Sequence, residues 1–332
     1  MHASSSLHIA VDRGDLKTVR SLAKERGAGI LREKEYGISP LHRAAYRGHL
    51  DVVRYLLEHG EVDIHEPTND DRYRARPLNI AATAGHIDVV RYLMETYRPD
   101  VHARNIHQAQ ALHHAVIGGH GNIARYLLEH GADIHTVNSG GHTPLHHAAV
   151  KGHRDVAKIL IEHGAHPHAV NAGGHTPLHR ASMEGHRDMA KILIEHGAHT
   201  RARNFLDSTP LHHAVAHGHL NVARYLTNNG RARDVRVVNR QGHTPLHHAA
   251  HAGHLHMTHM LLQRGADARA VNTTGQMPLH LAAHRDHRRV ANVLMNHGAD
   301  LRAMNGFGRT PAHINPGLAE HVTRHVPRTP LR

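Results

Sequence analysis

The chain contains no cysteine and no tryptophan, and only two phenylalanines and eight tyrosines among its 332 residues. Without cysteine there is no disulfide scaffold, no thiolate-ligated zinc or iron–sulfur centre and no thiol nucleophile. So few large rings exclude a core in which every helix is anchored by an aromatic. Leu, Val, Ile and Ala must fill it instead, with helices at close approach. No stretch approaches the roughly 18 consecutive apolar residues of a membrane span. The segment Met1-His2-Ala3-Ser4-Ser5-Ser6 lacks the charged and apolar regions of a secretory signal. Residence inside a cell, in cytoplasm or nucleus, is therefore the expectation, with a host cell as the alternative for an exported or viral chain. Lysine is also scarce, at 6 against 34 arginines. What is abundant is positive charge and histidine. Lys and Arg number 40 against 28 Asp and Glu, a net charge of +12, and there are 44 His.

A repeat organises the chain. Thr143-Pro144-Leu145-His146 recurs as Thr176-Pro177-Leu178-His179, Thr209-Pro210-Leu211-His212 and Thr244-Pro245-Leu246-His247. Degraded copies stand at Leu7-His8, Ser39-Pro40-Leu41-His42, Pro77-Leu78-Asn79, Leu112-His113, Pro278-Leu279-His280 and Thr310-Pro311-Ala312-His313. Measured between the Leu positions, the steps are 34, 37, 34, 33, 33, 33, 35, 33 and 33. The period is 33, with insertions of one, four, one and two residues.

One unit, residues 142–174, carries the physical logic. Thr143 suits a helix N-cap, and Pro144 the first helical position, where a missing N–H is harmless. Leu145, Ala148 and Ala149 make a face small enough for a neighbouring helix to approach. Gly152 ends that helix in the left-handed conformation. Asp155 opens a second helix, favourably placed against its dipole, and Val156, Ile159, Leu160 and Ile161 form its apolar face. Gly164 stops it, and Asn171-Ala172-Gly173-Gly174 turns into the next unit. Neither helix is stable alone, so stacking must bury both.

The pattern T-P-L-H-x-A-A-x-x-G-H followed by V-x-x-L-L-x-x-G-A, recurring in phase over about residues 4–326, resembles the ankyrin repeat family. The resemblance implies an all-α solenoid of stacked helix–turn–helix units joined by β-hairpin-like loops. Residues 4–33 are then an N-terminal capping repeat, 34–308 eight repeats, 309–326 a truncated C-terminal repeat and 327–332 a tail. In the truncated repeat, Ile314-Asn315-Pro316-Gly317 departs from the pattern and should cut the first helix short. The resemblance implies a non-catalytic protein–protein interaction module or scaffold. Stand-alone members occur in intracellular bacteria and large viruses as host-directed interaction proteins, one context for this chain.

The histidines sort by repeat position. Nine follow the Leu marker, eight hold the Gly-His position, five end the second helix and three precede Thr-Pro, together 25 of the 44. Structural hydrogen bonding explains these. The i,i+4 pairs His213/His217, His247/His251 and His280/His284 could each begin a zinc site. No Glu lies between the members of any pair, so the metalloprotease motif is absent. No metal site and no cofactor are expected.

A basic ladder at one position of the second helix comprises Arg20, Arg54, Arg91, Arg125, Lys158, Lys191 and Arg224. Glu58, Glu95, Glu129, Glu162 and Glu195 follow four residues after five of its members, and i,i+4 pairing on a solvated face is expected. An unpaired excess is expected elsewhere. Arg72, Arg74 and Arg76 crowd the four-residue insertion, and Arg231, Arg233, Arg236 and Arg240 the two-residue one. Arg285, Arg288, Arg289, Arg302, Arg309, Arg324, Arg328 and Arg332 make the C-terminal end basic. An acidic protein surface is the first-choice partner of a monomeric chain, and nucleic acid the second. A histidine-mediated metal-binding role ranks below both.

Family members contact partners through hairpin tips and the exposed end of the first helix. Carried onto this sequence, those positions give Tyr36, Tyr46, Arg47, Arg72, Tyr73, Phe205, Leu206, Arg240, His251, His284 and Phe307 as candidate partner-binding residues. Tyr55, Tyr92, Tyr126 and Tyr225 share one position in the second helix and read as packing. Tyr36 and Tyr73 could alternatively brace the inserted loop. No nucleophile elbow, phosphate-cradling glycine loop or general-base constellation is present, and no enzymatic activity is expected.

Overall fold

The structure is a computed structural model that describes residues 3–69, 74–229 and 232–318. The sequence builds the same two-helix unit again and again, because each signal has a physical partner. Thr143 caps the helix Pro144–Lys151: its side chain accepts from the His146 amide, and His146 Nδ1 accepts from the Thr143 amide at 3.2 Å. Pro144 opens that helix, and Gly152 closes it at φ 71°, with its N–H on the Ala148 carbonyl. The second helix, Arg154–Glu162, carries Asp155 in its first turn and buries Val156, Ala157 and Leu160. At its end His163 Nδ1 bonds the Ile159 carbonyl at 2.8 Å, which also accepts the His163 amide at 3.1 Å.

The chain divides into two compact units, Met1–Ala172 and Gly173–Arg332. In the first, the helices Ala3–Arg13, Pro40–Arg47, Pro77–Ala84, Ala111–Gly118 and Pro144–Lys151 pack side by side. Each also packs on the second helix of its own repeat. In the second unit Pro177–Glu184, Pro210–Ala216, Pro245–Ala252, Pro278–His284 and Pro311–Ile314 do the same. The last has four residues; Asn315, which precedes Pro316, adopts extended backbone at φ −139° and ψ 92° and ends it. The core is aliphatic: Leu41, Leu112, Leu178, Ala44, Ala81 and Ala148 are fully buried. Among the described residues no helix is long and apolar enough to cross a membrane.

Between repeats the hairpin-like loops are turns rather than strands. Several are closed by a backbone bond, such as Asn138 to His142 and Asn272 to Gln276, and linked to a neighbour, as by Ser139 N–H to the His107 carbonyl. The four-residue insertion is closed by Thr68 and Ala75: the Thr68 amide donates to the Ala75 carbonyl, and the Ala75 amide to Thr68 Oγ1 at 3.0 Å.

Two classes of histidine hold one repeat to the next. In the first, the Gly-His ring reaches back: His86 Nε2 bonds the Tyr46 carbonyl at 2.8 Å, His120 the Thr83 carbonyl, His219 the Met183 carbonyl and His287 the His251 carbonyl. Gly48 is doubly required here. Its φ of 76° is left-handed, and a Cβ on it would stand 2.3 Å from His86 Nδ1.

In the second class the marker histidine is buried and doubly bonded. His113, His212 and His247 accept at Nδ1 from the N–H of their own N-cap residue, at 3.1–3.2 Å. Their Nε2 atoms meet the carbonyls of His142, His243 and Gln276 in the next repeat, at 3.0–3.1 Å. An amide can only donate and a carbonyl can only accept, so the ring must be neutral with its proton on Nε2. Burial, the largest cause, accordingly pushes His113, His179 and His247 down to about 4 and His212 to about 3.

The following residue behaves alike. Asn204 Oδ1 accepts from the Leu206 and Ser208 amides, so its Nδ2 donates, to His175 Nε2 at 3.0 Å and His213 Nε2 at 3.2 Å. Burial and the neighbouring imidazoles push His213 to about 2, His147 to about 3, and His114 and His248 to about 4. The unfolded chain titrates these rings near pH 6.5, so it binds more protons than the folded one below that value. Their contribution is fully present above pH 6.5 and is lost as pH falls towards the folded values. At pH 5 the loss is about 2 kcal/mol for each such ring. We therefore expect the melting temperature to be level from pH 8.5 to 7.5 and to fall steeply between pH 6.5 and 5. Circular dichroism melts across that range check it; a level curve would show that these rings are solvated.

Candidate functional site

The second helices carry the basic ladder, but its main contact is aromatic rather than acidic. Arg20, Arg54 and Arg91 lie over the rings of Tyr55, Tyr92 and Tyr126 in the following repeat, 5.1–5.4 Å from the centroids, and Arg187 over Tyr225 at 5.4 Å. The expected i,i+4 pairing is seen at Lys191–Glu195, 3.8 Å apart and half exposed. A guanidinium is weakly hydrated and stacks readily, which explains why an Arg with a tyrosine within reach takes the ring. Three of the seven ladder residues are thus engaged in repeat-to-repeat packing, while Arg187, one turn before Lys191, makes the same contact from outside the ladder.

Much of the arginine expected to be unpaired is also engaged. Arg76 donates to the His65 and Arg104 carbonyls, and Arg236 to the Gly265 carbonyl. Arg240 lies 3.9 Å from Asp207, Arg285 bonds His251, and Arg288 pairs with Asp286 at 2.9 Å. Arg231, Arg324, Arg328 and Arg332 lie outside the described residues.

The first member of each i,i+4 histidine pair is committed as well, His213 to Asn204. His247 and His280 use Nδ1 on an N-cap amide and Nε2 on a carbonyl of the next repeat. His217 Nδ1 bonds the His213 carbonyl at 2.9 Å. Among the described residues no group of three or more His, Asp and Glu is placed to hold a metal ion.

What remains open is a groove of about 610 Å³ in the first unit. Its floor and wall come from Ile38, Tyr46, Ile80, Thr83 and Ile117, contributed by three neighbouring first helices and one hairpin. Its rim is a charge-paired cluster. Arg43 bonds Asp12 and Glu35, each at 2.7 Å, and Arg47 Nε bonds Asp12 at 3.2 Å. The Arg47 guanidinium also lies 5.7 Å from the Tyr46 ring centroid.

The candidate contact residues fall into two sets. In the first unit, Tyr46 and Arg47 line the groove, whereas Tyr36 sits on the adjoining hairpin tip at φ 52° and is 91% exposed. Its side chain is thus open to solvent. Arg72 and Tyr73 lie outside the described residues. In the second unit Phe205, Leu206 and Phe307 are exposed hairpin residues, at 59%, 61% and 71%, and Arg240, His251 and His284 are exposed too. Sequence reasoning missed Ile80, Ile117 and His114 as groove residues. The available signal was their register: two and five residues after the Leu marker, on the helix face left open by a two-layer stack.

A family profile described as Ankyrin repeats (3 copies) matches residues 7–105, 97–171, 113–204, 166–236, 200–272 and 229–305. The chain belongs to the ankyrin repeat family. Within it, the chain is similar to ankyrin repeat domain-containing protein 49 of Bos taurus, with 48% identity over 59 residues, 18% of this chain and 24% of that protein. It is also similar to human protein phosphatase 1 regulatory subunit 27, with 42% identity over 67 residues, 20% of this chain and 42% of that protein. The chain thus spans less than half the length of these relatives.

The ankyrin histidines are bonded as structural groups, so metal removal should not matter. A chelator at pH 7.5 is expected to move the melting temperature by less than about 1 °C, since a structural metal would contribute several kcal/mol to folding. Asn204→Ala, by contrast, removes the acceptor of two amides and the donor to two imidazoles. It should lower stability by about 2–3 kcal/mol, read from urea unfolding.

Proposed function

We propose that the chain is a non-catalytic binding module that receives a segment of another protein in the groove of its first unit. The observation that carries this is the groove itself: three isoleucines and a half-exposed tyrosine left uncovered on otherwise well-packed helices, beside a rim whose charges are mutually paired. Exposed apolar surface bordered by polar groups marks interaction sites, and Tyr and Arg are frequent anchors. Ankyrin repeats are protein-interaction modules, and one relative is named a regulatory subunit of protein phosphatase 1. Arg47, half exposed beside Asp12, favours a carboxylate on the incoming segment next to its apolar side chains. Tyr36 and the inserted loop with Arg72 and Tyr73 would extend the contact, and loop lengthening is thermodynamically mild. No chemistry is assigned: the groove offers aliphatic, hydroxyl and charge-paired groups.

Tyr46→Ala and Ile117→Asp test this. Both positions face the groove, so melting should be nearly unchanged, while affinity for a partner recovered by the wild-type chain and then purified should fall about tenfold or more. Unaltered affinity in both variants would remove the groove from the function. Exposed Ser139→Ala serves as the neutral comparison.

A second reading, nucleic-acid binding, draws on the charge of residues 173–332, where 20 Lys and Arg stand against 9 Asp and Glu; residues 1–172 hold 20 against 19. Binding through phosphates weakens log-linearly with salt. We expect only weak, sequence-independent binding that vanishes near about 150 mM salt; nanomolar binding to a defined DNA or RNA there would make this the first reading.

A further inference from the structure

In the second unit the ends of three successive first helices carry no exposed aliphatic surface but a row of imidazoles. His217 follows the helix Pro210–Ala216, His251 lies in the last turn of Pro245–Ala252, and His284 ends Pro278–His284. Arg285 caps that last helix and donates to His251 Nε2 at 3.2 Å. All four side chains are exposed. The three helices pack side by side; His251 neighbours His284 and Arg285 directly, and His217 joins them through His248.

The surroundings are mostly imidazole, with one carboxylate, Asp286, acting on His287. His213 and His219 flank His217, with ring centroids at 6.5 and 6.2 Å. His243 and His248, 5.5 Å apart, stand behind His251, whose other charged neighbours are His284, His287 and Arg285. His313, also exposed, lies on the short helix packed against Pro278–His284. The carboxylates on packed elements have other first partners: Glu184 pairs with Arg180, Asp286 with Arg288 and Asn315, and Asp207 with Arg203 and Arg240. Among the described residues no carboxylate forms an ion pair with His217, His251, His284 or Arg285.

We infer that this row is a second binding surface, independent of the groove, for an acidic protein segment whose binding is coupled to proton uptake. At His251 the helix C-terminal end favours the protonated ring. Burial and Arg285 hold His251 below its ordinary value. A carboxylate placed on the row reverses that balance by pairing with imidazolium, and so draws protons onto it. Packed helices lie about 8–10 Å apart, which an extended chain spans in about three residues. The fitting segment is therefore extended, with a carboxylate at about every third position or a run of acidic residues. A nucleic-acid track would need several permanent cations, and this row holds one, Arg285.

The test uses the full chain and a fluorescent deca-aspartate peptide at constant ionic strength, between pH 8.0 and 6.5, where the buried rings remain neutral. Affinity should rise about tenfold towards pH 6.5, as expected when several imidazoles gain a partner. The triple variant His217→Gln, His251→Gln, His284→Gln should reduce that rise to about twofold or less. His256→Gln with His259→Gln, exposed on the second helix of the same unit, should retain it. Calorimetry of the unmodified chain at pH 7 in two buffers of different ionisation enthalpy should show net proton uptake on binding, which needs no variant to fold. The proposal is overturned by absent uptake, by equal losses in the two variant sets, or by a single-stranded oligonucleotide of equal charge binding more tightly than the peptide at both pH values.

Discussion

The interaction on which most repeats of this fold depend is a neutral imidazole held at both nitrogens. A first helix of seven or eight residues, such as Pro210–Ala216 or Pro245–Ala252, is too short to persist alone. The marker histidine addresses both of its weaknesses. Nδ1 accepts the N-cap amide, which fixes where the helix begins; Nε2–H reaches a hairpin carbonyl about one repeat later, which fixes what the helix packs against. His247 does this between Thr244 and Gln276, and His212 between Thr209 and His243 across the two-residue insertion. One side chain thus couples local structure to stacking. Where Asn79 replaces it, the site stays buried, but the ring that would bridge to the next hairpin is missing.

The period, the helix starts at Thr-Pro and the stops at Gly were legible in the sequence because each is a local signal with a local cause. The role of most histidines was legible for the same reason. What was not legible needed a neighbour in space. Arg54 reads as a partner for Glu58 on a helical wheel, yet it lies over Tyr92, 38 positions away. Arg76 and Arg236 read as surplus charge until their carbonyl acceptors are seen. Tyr46 and Arg47 were identified as contact positions, but Ile80 and Ile117 resemble ordinary core residues of an amphipathic helix. Only the stack shows that their face is the uncovered one.

The two units put the same scaffold to different chemical use. Five residues after the marker the first unit presents Tyr46, Thr83, Ile117 and Val150, and the later repeats of the second present His251 and His284. The charge balance follows the same division, nearly neutral before residue 173 and strongly basic after it. Substitution at these positions alters the surface without touching the buried leucines and alanines, so recognition can diverge along the array while the packing repeats.

Histidine serves two ends here, and the difference lies only in what surrounds the ring. A ring such as His213, buried and accepting from Asn204, cannot take a proton without breaking that bond, so its titration is coupled to unfolding. A ring such as His251, exposed in the last turn of its helix, has only an exposed arginine on its Nε2, so a proton there costs no buried bond. The first class sets the acid limit below which the array comes apart; the second can respond above that limit. Separation of the two requires that the structural rings be displaced far below their ordinary value, which burial achieves for His212 and His213. A stack held by solvated histidines would lose its cohesion over the same pH range in which its surface gained charge. Because the cohesive rings are buried and doubly committed, the fold can carry a titrating surface on the same helices.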